Sequence, residues 1–167
     1  RSILPFANGS RVQLRTNGSH SYINASYLPS SPNSPSSNPH RFIATQAPVP
    51  RSVYDFWLMV WEERAGCIVM LVGVQPRKAE VYWPEAGQGR LPFGLVEVEC
   101  IEQSVVQVLA NGESVEMIRR VFVVARDGVE HHTVHYYYPH WPDHGPPESP
   151  AAFKALHDAL SADPAFH

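Results

Sequence analysis

Two cysteines, a scatter of histidines and one carboxylate in a Pro/Gly setting are the side chains here most able to do chemistry. Cys67 and Cys100 lie in apolar-rich segments without CxxC spacing, which argues against a disulfide framework or a thiolate zinc site and fits a reducing compartment. His131, His132, His135, His140 and His144 invite an imidazole–metal reading. Their spacings match no HExxH or finger pattern, and a strand followed by a loop scatters the rings, so no metal and no other cofactor is expected. The carboxylate is Asp143, inside Trp141-Pro142-Asp143-His144-Gly145. Pro, Asp and Gly are the usual turn residues, and taken alone the segment reads as a turn.

Those residues need elements to hold them. From Ser52 the text reads as a helix: Ser52 as cap, Asp55 at capping-box spacing, Val53, Phe56, Trp57, Val60 and Trp61 at helical intervals, and Gly66 as the stop. Phe56, Trp57, Met59 and Trp61 are expected in the core. The apolar run Cys67 to Val72 predicts a strand covered on both faces. Further strands are expected over 41–45, 95–109, 115–125 and 129–138, with Tyr136, Tyr137 and Tyr138 alternating between faces. Asn111-Gly112 and Asp127-Gly128 stand at hairpin spacing, so the last three should pair antiparallel. Ser149-Pro150 opens a second helix with Phe153, Leu156 and Leu160 on one face. Helices interleaved with a mixed sheet give an α/β or α+β class.

Composition bounds the function. The 167 residues are 44% hydrophobic and 17% charged, with 13 Lys+Arg against 16 Asp+Glu. That suits one globular domain, and a formal charge of −3 offers no electrostatic case for nucleic acid or an anionic membrane. The apolar run from Cys67 to Val74 is far shorter than the ~20 residues that cross a bilayer, so no membrane contact is expected within the segment. Residues 28–40 hold four prolines and five serines. This stretch cannot bury enough surface to offset its ordering entropy and is expected to be a flexible surface insertion. The text lacks an initiating Met and reads as a piece of a longer polypeptide.

Five motifs occur in order: Ser21–Ser26 (SYINAS), Phe42–Pro48 (FIATQAP), Asp55–Glu62 (DFWLMVWE), Tyr82–Glu85 (YWPE), and Trp141–Gly145 (WPDHG) followed by Pro147–Pro150 (PESP). Together they closely resemble the protein-tyrosine phosphatase domain, over essentially the whole chain. The resemblance implies the N-terminal two-thirds of such a domain: a partial phosphotyrosine-phosphatase fold over 1–167, with a twisted mixed β-sheet flanked by helices. It implies hydrolysis of phosphotyrosine in protein substrates through a cysteinyl-phosphate, in the cytoplasm or on the cytoplasmic side of a membrane receptor.

Expelling a phenolate, whose conjugate acid has a pKa of about 10, is slow without a proton donor. The resemblance makes Asp143 that general acid, later the base toward water. Trp141, Pro142, His144 and Gly145 form its loop. Lys78 stands where the family's lysine meets the closed loop, and Asn24 and Gln46 stand in motifs that organise the phosphotyrosine pocket, as buried structural amides or as substrate contacts. Some positions depart from the family pattern. Ala79 follows Lys78 in place of a cysteine, Gln75-Pro76 replaces a bracing glutamate, and Ser2 stands where an aspartate holds the substrate backbone.

The family nucleophile needs Cys-x5-Arg, in which backbone N–H groups and the arginine depress the thiol pKa. Gly73 stands six residues after Cys67 and Val106 six after Cys100. Neither cysteine qualifies, and burial should raise both pKa values. The nucleophile loop is expected beyond His167, on a strand beside Cys67–Val72. The 167 residues alone should therefore be inactive and poorly soluble. A catalytically silent phosphatase-like module that binds phosphoproteins is the alternative, and a histidine-based metal or scaffold protein a third reading.

Overall fold

The computed structural model describes residues 10–16, 19–28, 42–74, 79–110, 113–142 and 150–164. The expected insertion therefore falls outside the described residues, apart from Leu28. Along the chain run β1 (Arg11–Thr16), β2 (Ser19–Leu28), β3 (Phe42–Thr45), α1 (Val53–Glu62), β4 (Cys67–Met70), β5 (Leu91–Phe93), β6 (Val96–Ala110), β7 (Glu113–Arg126), β8 (Val129–Tyr137) and α2 (Pro150–Ala162). A three-stranded antiparallel sheet has the order β1-β2-β3, and a five-stranded mixed sheet the order β4-β8-β7-β6-β5. Among the described residues only β4 and β8 pair in parallel.

Helix α1 lies between the two sheets, so burial exceeds one stripe of the helix: Phe56, Trp57, Leu58, Met59 and Val60 are all buried. Each such side chain contributes roughly 1.5–3 kcal/mol of transfer free energy. Trp57 Nε1 donates to the Tyr82 carbonyl at 2.8 Å, which satisfies the only polar atom of that core indole. Helix α2 covers the opposite face of the five-stranded sheet through Ala151, Ala155, Leu156 and Leu160, against Met117, Val134 and Tyr136. Because strand residues alternate in direction, Tyr136 and Tyr138 meet the α2 core while Tyr137 meets the α1 core.

The expected Asp127-Gly128 hairpin forms. Both residues have positive φ, 52° and 77°, and β7 and β8 pair from Arg126 and Val129 onward. The Asn111-Gly112 turn lies outside the described residues, although β6 and β7 pair up to Ala110 and Glu113 as it requires.

Several expectations are corrected. Ser52 does not cap α1. Its Oγ accepts from the Val49 N–H at 3.0 Å and donates to the Val49 carbonyl, closing the preceding 3-10 turn instead. Gly66 is not the stop either. Arg64 takes φ +49°, while Arg64 N–H donates to the Trp61 carbonyl and Ala65 N–H to that of Val60. This is a Schellman closure with arginine in the left-handed position. Strand β4 ends at Met70 rather than Val72, and coverage of both faces fails at Val69, which is 37% exposed. Among the described residues, β4 has β8 on one side and no strand on the other. Phe153 is exposed rather than on the buried face of α2. Leu95 belongs to the β5–β6 turn, not to a strand. Strands β1, β2 and β5 were not anticipated.

Candidate active site

Parallel pairing places the C-terminal ends of β4 and β8 at the same end of the sheet, the usual position of functional loops in such pairs. Cross-bonds hold the two emerging segments together. Tyr138 N–H donates to the Met70 carbonyl at 3.0 Å, and Val74 N–H donates to Tyr137 Oη at 3.1 Å. The chain leaving β8 carries Trp141 and Pro142, both half-buried. Trp141 packs against the α2 core together with Leu71, and its ring meets Phe153 edge-on at 6.4 Å. This contact is what Phe153 does with its outward position. Asp143, His144 and Gly145 lie outside the described residues, as does Lys78.

Beside the end of β4 opens a mostly apolar cleft of about 250 Å³. Its walls come from the segment after β3 (Ala47, Pro48), from Phe56, from residues 68–72 and from Tyr82. A second cleft of about 260 Å³ lies between β2 and the start of α1, with Asn24, Arg51 and Asp55 in its lining. Thr45, Gln46, Pro48 and Phe56 line both, so Gln46 stands on the shared rim. Asn24 Nδ2 donates to Gln46 Oε1 at 3.1 Å. Gln46 is exposed and Asn24 half-buried, so the expectation of buried structural amides is corrected: the two bond each other at an open rim.

The two thiols behave as their burial requires. The Cys67 thiol is pushed up to about 12, first by desolvation and next by the Asp163 carboxylate, with Arg119 opposing. Cys100 is also raised, first by desolvation, and its Sγ is 3.4 Å from the Glu102 carbonyl. Neither is an activated nucleophile.

A buried polar pair behind the β4 cleft was not singled out. Tyr82 is buried, lines the β4 cleft, and has its hydroxyl 2.9 Å from His135 Nε2. His135 is fully buried among the rings of Trp83, Phe122 and Tyr137. Burial first and the Arg120 charge second lower its pKa to about 3, so it is neutral at working pH. The Tyr-Trp-Pro motif signalled Tyr82, whereas only the parity of β8 could have signalled His135. The other histidines diverge: His132 is exposed, and His140 lies against Tyr138. Among the described residues no three His, Cys, Asp or Glu side chains converge as metal ligands, and no helix is long and apolar enough to cross a membrane.

Comparison with known proteins follows the same lines. The sequence profile described as protein-tyrosine phosphatase matches residues 1–164. The chain is 36% identical to Tyrosine-protein phosphatase 1 of Dictyostelium discoideum, over 93% of its own length and 30% of that protein. It is 34% identical to the human receptor-type tyrosine-protein phosphatase H, over 93% of its own length and 13% of that protein. The chain thus spans less than a third of either relative. Among solved structures, PTPN18 in complex with HER2 phosphopeptides superposes with a TM-score of 0.76 at 27% identity, over 95% of this chain and 56% of that one. The order of the five motifs, the mixed sheet with its parallel β4–β8 pair and these matches agree that the chain belongs to the protein-tyrosine phosphatase family.

Proposed function

We propose that residues 1–167 are part of a single phosphatase domain whose full-length protein hydrolyses phosphotyrosine in protein substrates on the cytoplasmic side of the cell. Asp143 protonates the departing phenol and then takes a proton from the attacking water. Trp141, Pro142, His144 and Gly145 carry it over the bound phosphate, with Lys78 beside the closed loop. Asn24 and Gln46 brace the pocket rim. The observation that carries the reading is the delivery of Trp141-Pro142 by β8 to the sheet end where the β4 cleft opens.

The covalent step needs a thiolate, and residues 1–167 contain no Cys-x5-Arg. The thiolate therefore comes from outside them. Its sulfur attacks phosphorus as the P–O(aryl) bond breaks and Asp143 delivers its proton to the phenol oxygen. Water then attacks phosphorus, its proton passes to Asp143, and the S–P bond breaks to release phosphate and thiolate. The 167 residues alone have no covalent route.

A rapid quench of the full-length protein with a phosphotyrosyl peptide, read by mass spectrometry, tests the proposal. Phosphate is expected on a cysteine other than Cys67 and Cys100; phosphate on neither cysteine nor any other residue during turnover would overturn it. The silent-module reading is favoured by Ala79, which fills a fully buried position where the family pattern has cysteine. It predicts phosphopeptide binding without turnover in the same experiment.

A further inference from the structure

Strand β6 runs for 15 residues, further than the strands beside it can follow. On one edge β5 pairs only with Val96, Glu97 and Val98, so from Glu99 to Ala110 no described strand lies against that edge. On the other edge β7 keeps an unbroken antiparallel register from Glu102 to Ala110. Strand β8 reaches along β7 only to Ile118, the partner of Val105. Beyond that point the hairpin is a two-stranded arm. One of its faces packs Val106, Val108, Val115 and Met117 with the α2 core. The other presents Val105 and Leu109, 59% and 79% exposed. Every residue from Ile101 to Leu109 is exposed or half-buried, Ser104 included, so α2 leaves the edge open.

Long edge strands are usually blunted by lysine, proline, charge or a bulge. Residues 104–110, Ser-Val-Val-Gln-Val-Leu-Ala, carry none of these, and the β6 bulge lies before them, between Cys100 and Glu102. The segment is also nearly palindromic about Gln107: Val106 mirrors Val108, Val105 mirrors Leu109, and Ser104 mirrors Ala110. An antiparallel partner related by a two-fold axis reads the same strand in reverse, so this symmetry fits a second copy of the chain. With the axis at Gln107, each exposed Val105 meets a Leu109 and each Val106 meets a Val108. The two Gln107 amides then face each other as donor and acceptor. Within its own chain Gln107 Nε2 is held only loosely, 3.5 Å from Glu116 Oε2. Charge allows the pairing. Glu102, next to the segment, is held by Arg119 at 2.8 Å. Glu116, opposite Gln107 on β7, would stand three strand spacings, about 14 Å, from its copy, beyond a Debye length of about 8 Å.

We propose that β6 is a homodimerisation edge: residues 104–110 pair antiparallel with the same residues of a second copy, about a two-fold axis at Gln107, joining two five-stranded sheets edge to edge. The pairing does not depend on the phosphatase chemistry. Seven residues per copy bury less than the ~1,200 Å² at the low end of stable interfaces, so the dimer is weak and forms as concentration rises.

Sedimentation velocity of the full-length protein over about 1 µM to 1 mM tests the association, and a monomer–dimer equilibrium within that range is expected. Val105→Lys and Leu109→Lys change exposed side chains and should each weaken it by about tenfold or more, with the melting temperature nearly unchanged. Cysteine pairs test the register. Gln107→Cys, oxidised with copper phenanthroline, should form a disulfide between residue 107 and its own copy, because opposed Cα atoms in antiparallel strands lie about 4.5–5.5 Å apart. A mixture of Val105→Cys and Leu109→Cys chains should link 105 to 109. Val105→Cys alone should not link to itself, because its copy lies about 14 Å further along the strand. Peptide mass spectrometry reads each link. A monomer throughout the range, a dimer that both lysine variants leave unchanged, or cross-links in another register would overturn the proposal. Should a lysine variant fail to fold, the cross-links decide it.

Discussion

Asn24 and Gln46 are tied twice: the Asn24 side-chain amide donates to Gln46 Oε1 at 3.1 Å, and the Gln46 N–H donates to the Asn24 carbonyl at 3.1 Å. The backbone bond extends the β2–β3 ladder one step beyond Thr45, and the side-chain bond lies on the rim shared by the two clefts. Gln46→Ala should lower stability by about 0.5–1.5 kcal/mol, and Asn24→Ala in the same chain should cost less than the sum of the two, because each removes the same bond. Denaturant midpoints of the single and double variants check this. A tenfold rise in KM from Gln46→Ala without loss of stability would place that amide on the substrate instead.

Gly94 joins β5 to β6 at φ +70°, and a Cβ there would lie 2.2 Å from the Tyr54 ring. Gly94→Ala combines left-handed strain with that clash and should cost roughly 1–3 kcal/mol. Pairing it with Tyr54→Ala removes the clash but not the strain, so the double variant should recover less than the clash alone would suggest. Urea midpoints at constant slope measure both.

The pKa of His135 falls from 6.5 to about 3 on folding. The unfolded chain therefore binds a proton that the folded chain refuses, and the stability from keeping this ring neutral is present above about 6.5 and lost as pH falls toward 3. The wild type should lose stability through that window with a steeper slope than His135→Gln. The difference is at most about 1.4 kcal/mol per pH unit from this one group. Melting curves across the window check it, and parallel slopes would show that the ring charges in place.

Cys67 carries the opposite sign. Its thiol rises from 9.0 to about 12 on folding, so stability is intact below 9 and falls as pH climbs toward 12. The same shift predicts slow alkylation of Cys67 near neutral pH. In the full-length protein, Cys67→Ala and Cys100→Ala should each retain phosphotyrosine turnover within a few-fold. Loss of turnover without loss of fold would make one of them a catalytic thiol.

Much of the architecture could be read from particular residues. Asp127-Gly128 marked a hairpin because that turn needs two positive φ values, and the spacing of Phe56, Trp57 and Val60 marked a buried helix. Other features follow from tertiary context. Ser52 has the chemistry of a cap but is used by the turn before it, and Arg64 is forced into the conformation that Gly66 was expected to supply. Strand β1 alternates Arg11, Val12, Gln13, Leu14 and Arg15, with Val12 and Leu14 inward; the period-two signal was present and was passed over. In β6 a bulge between Cys100 and Glu102 switches which face each residue meets, so Cys100 lies with the α1 core and Val106 and Val108 with the α2 core. No single alternation over β6 could predict that. Of the site, Trp141 and the Asn24–Gln46 pair were legible in motifs. The His135–Tyr82 pair was not, because their bond joins residues 53 positions apart.

The measurement that bears most directly on the central claim is turnover by the full-length protein with Asp143→Ala, using phosphotyrosine and a series of aryl phosphates with increasingly acidic phenols. If Asp143 protonates the leaving group, kcat for phosphotyrosine falls about 10²- to 10⁴-fold, and the deficit shrinks as the phenol becomes a better leaving group. A rate within twofold of wild type, or a deficit independent of the leaving group, would contradict the account.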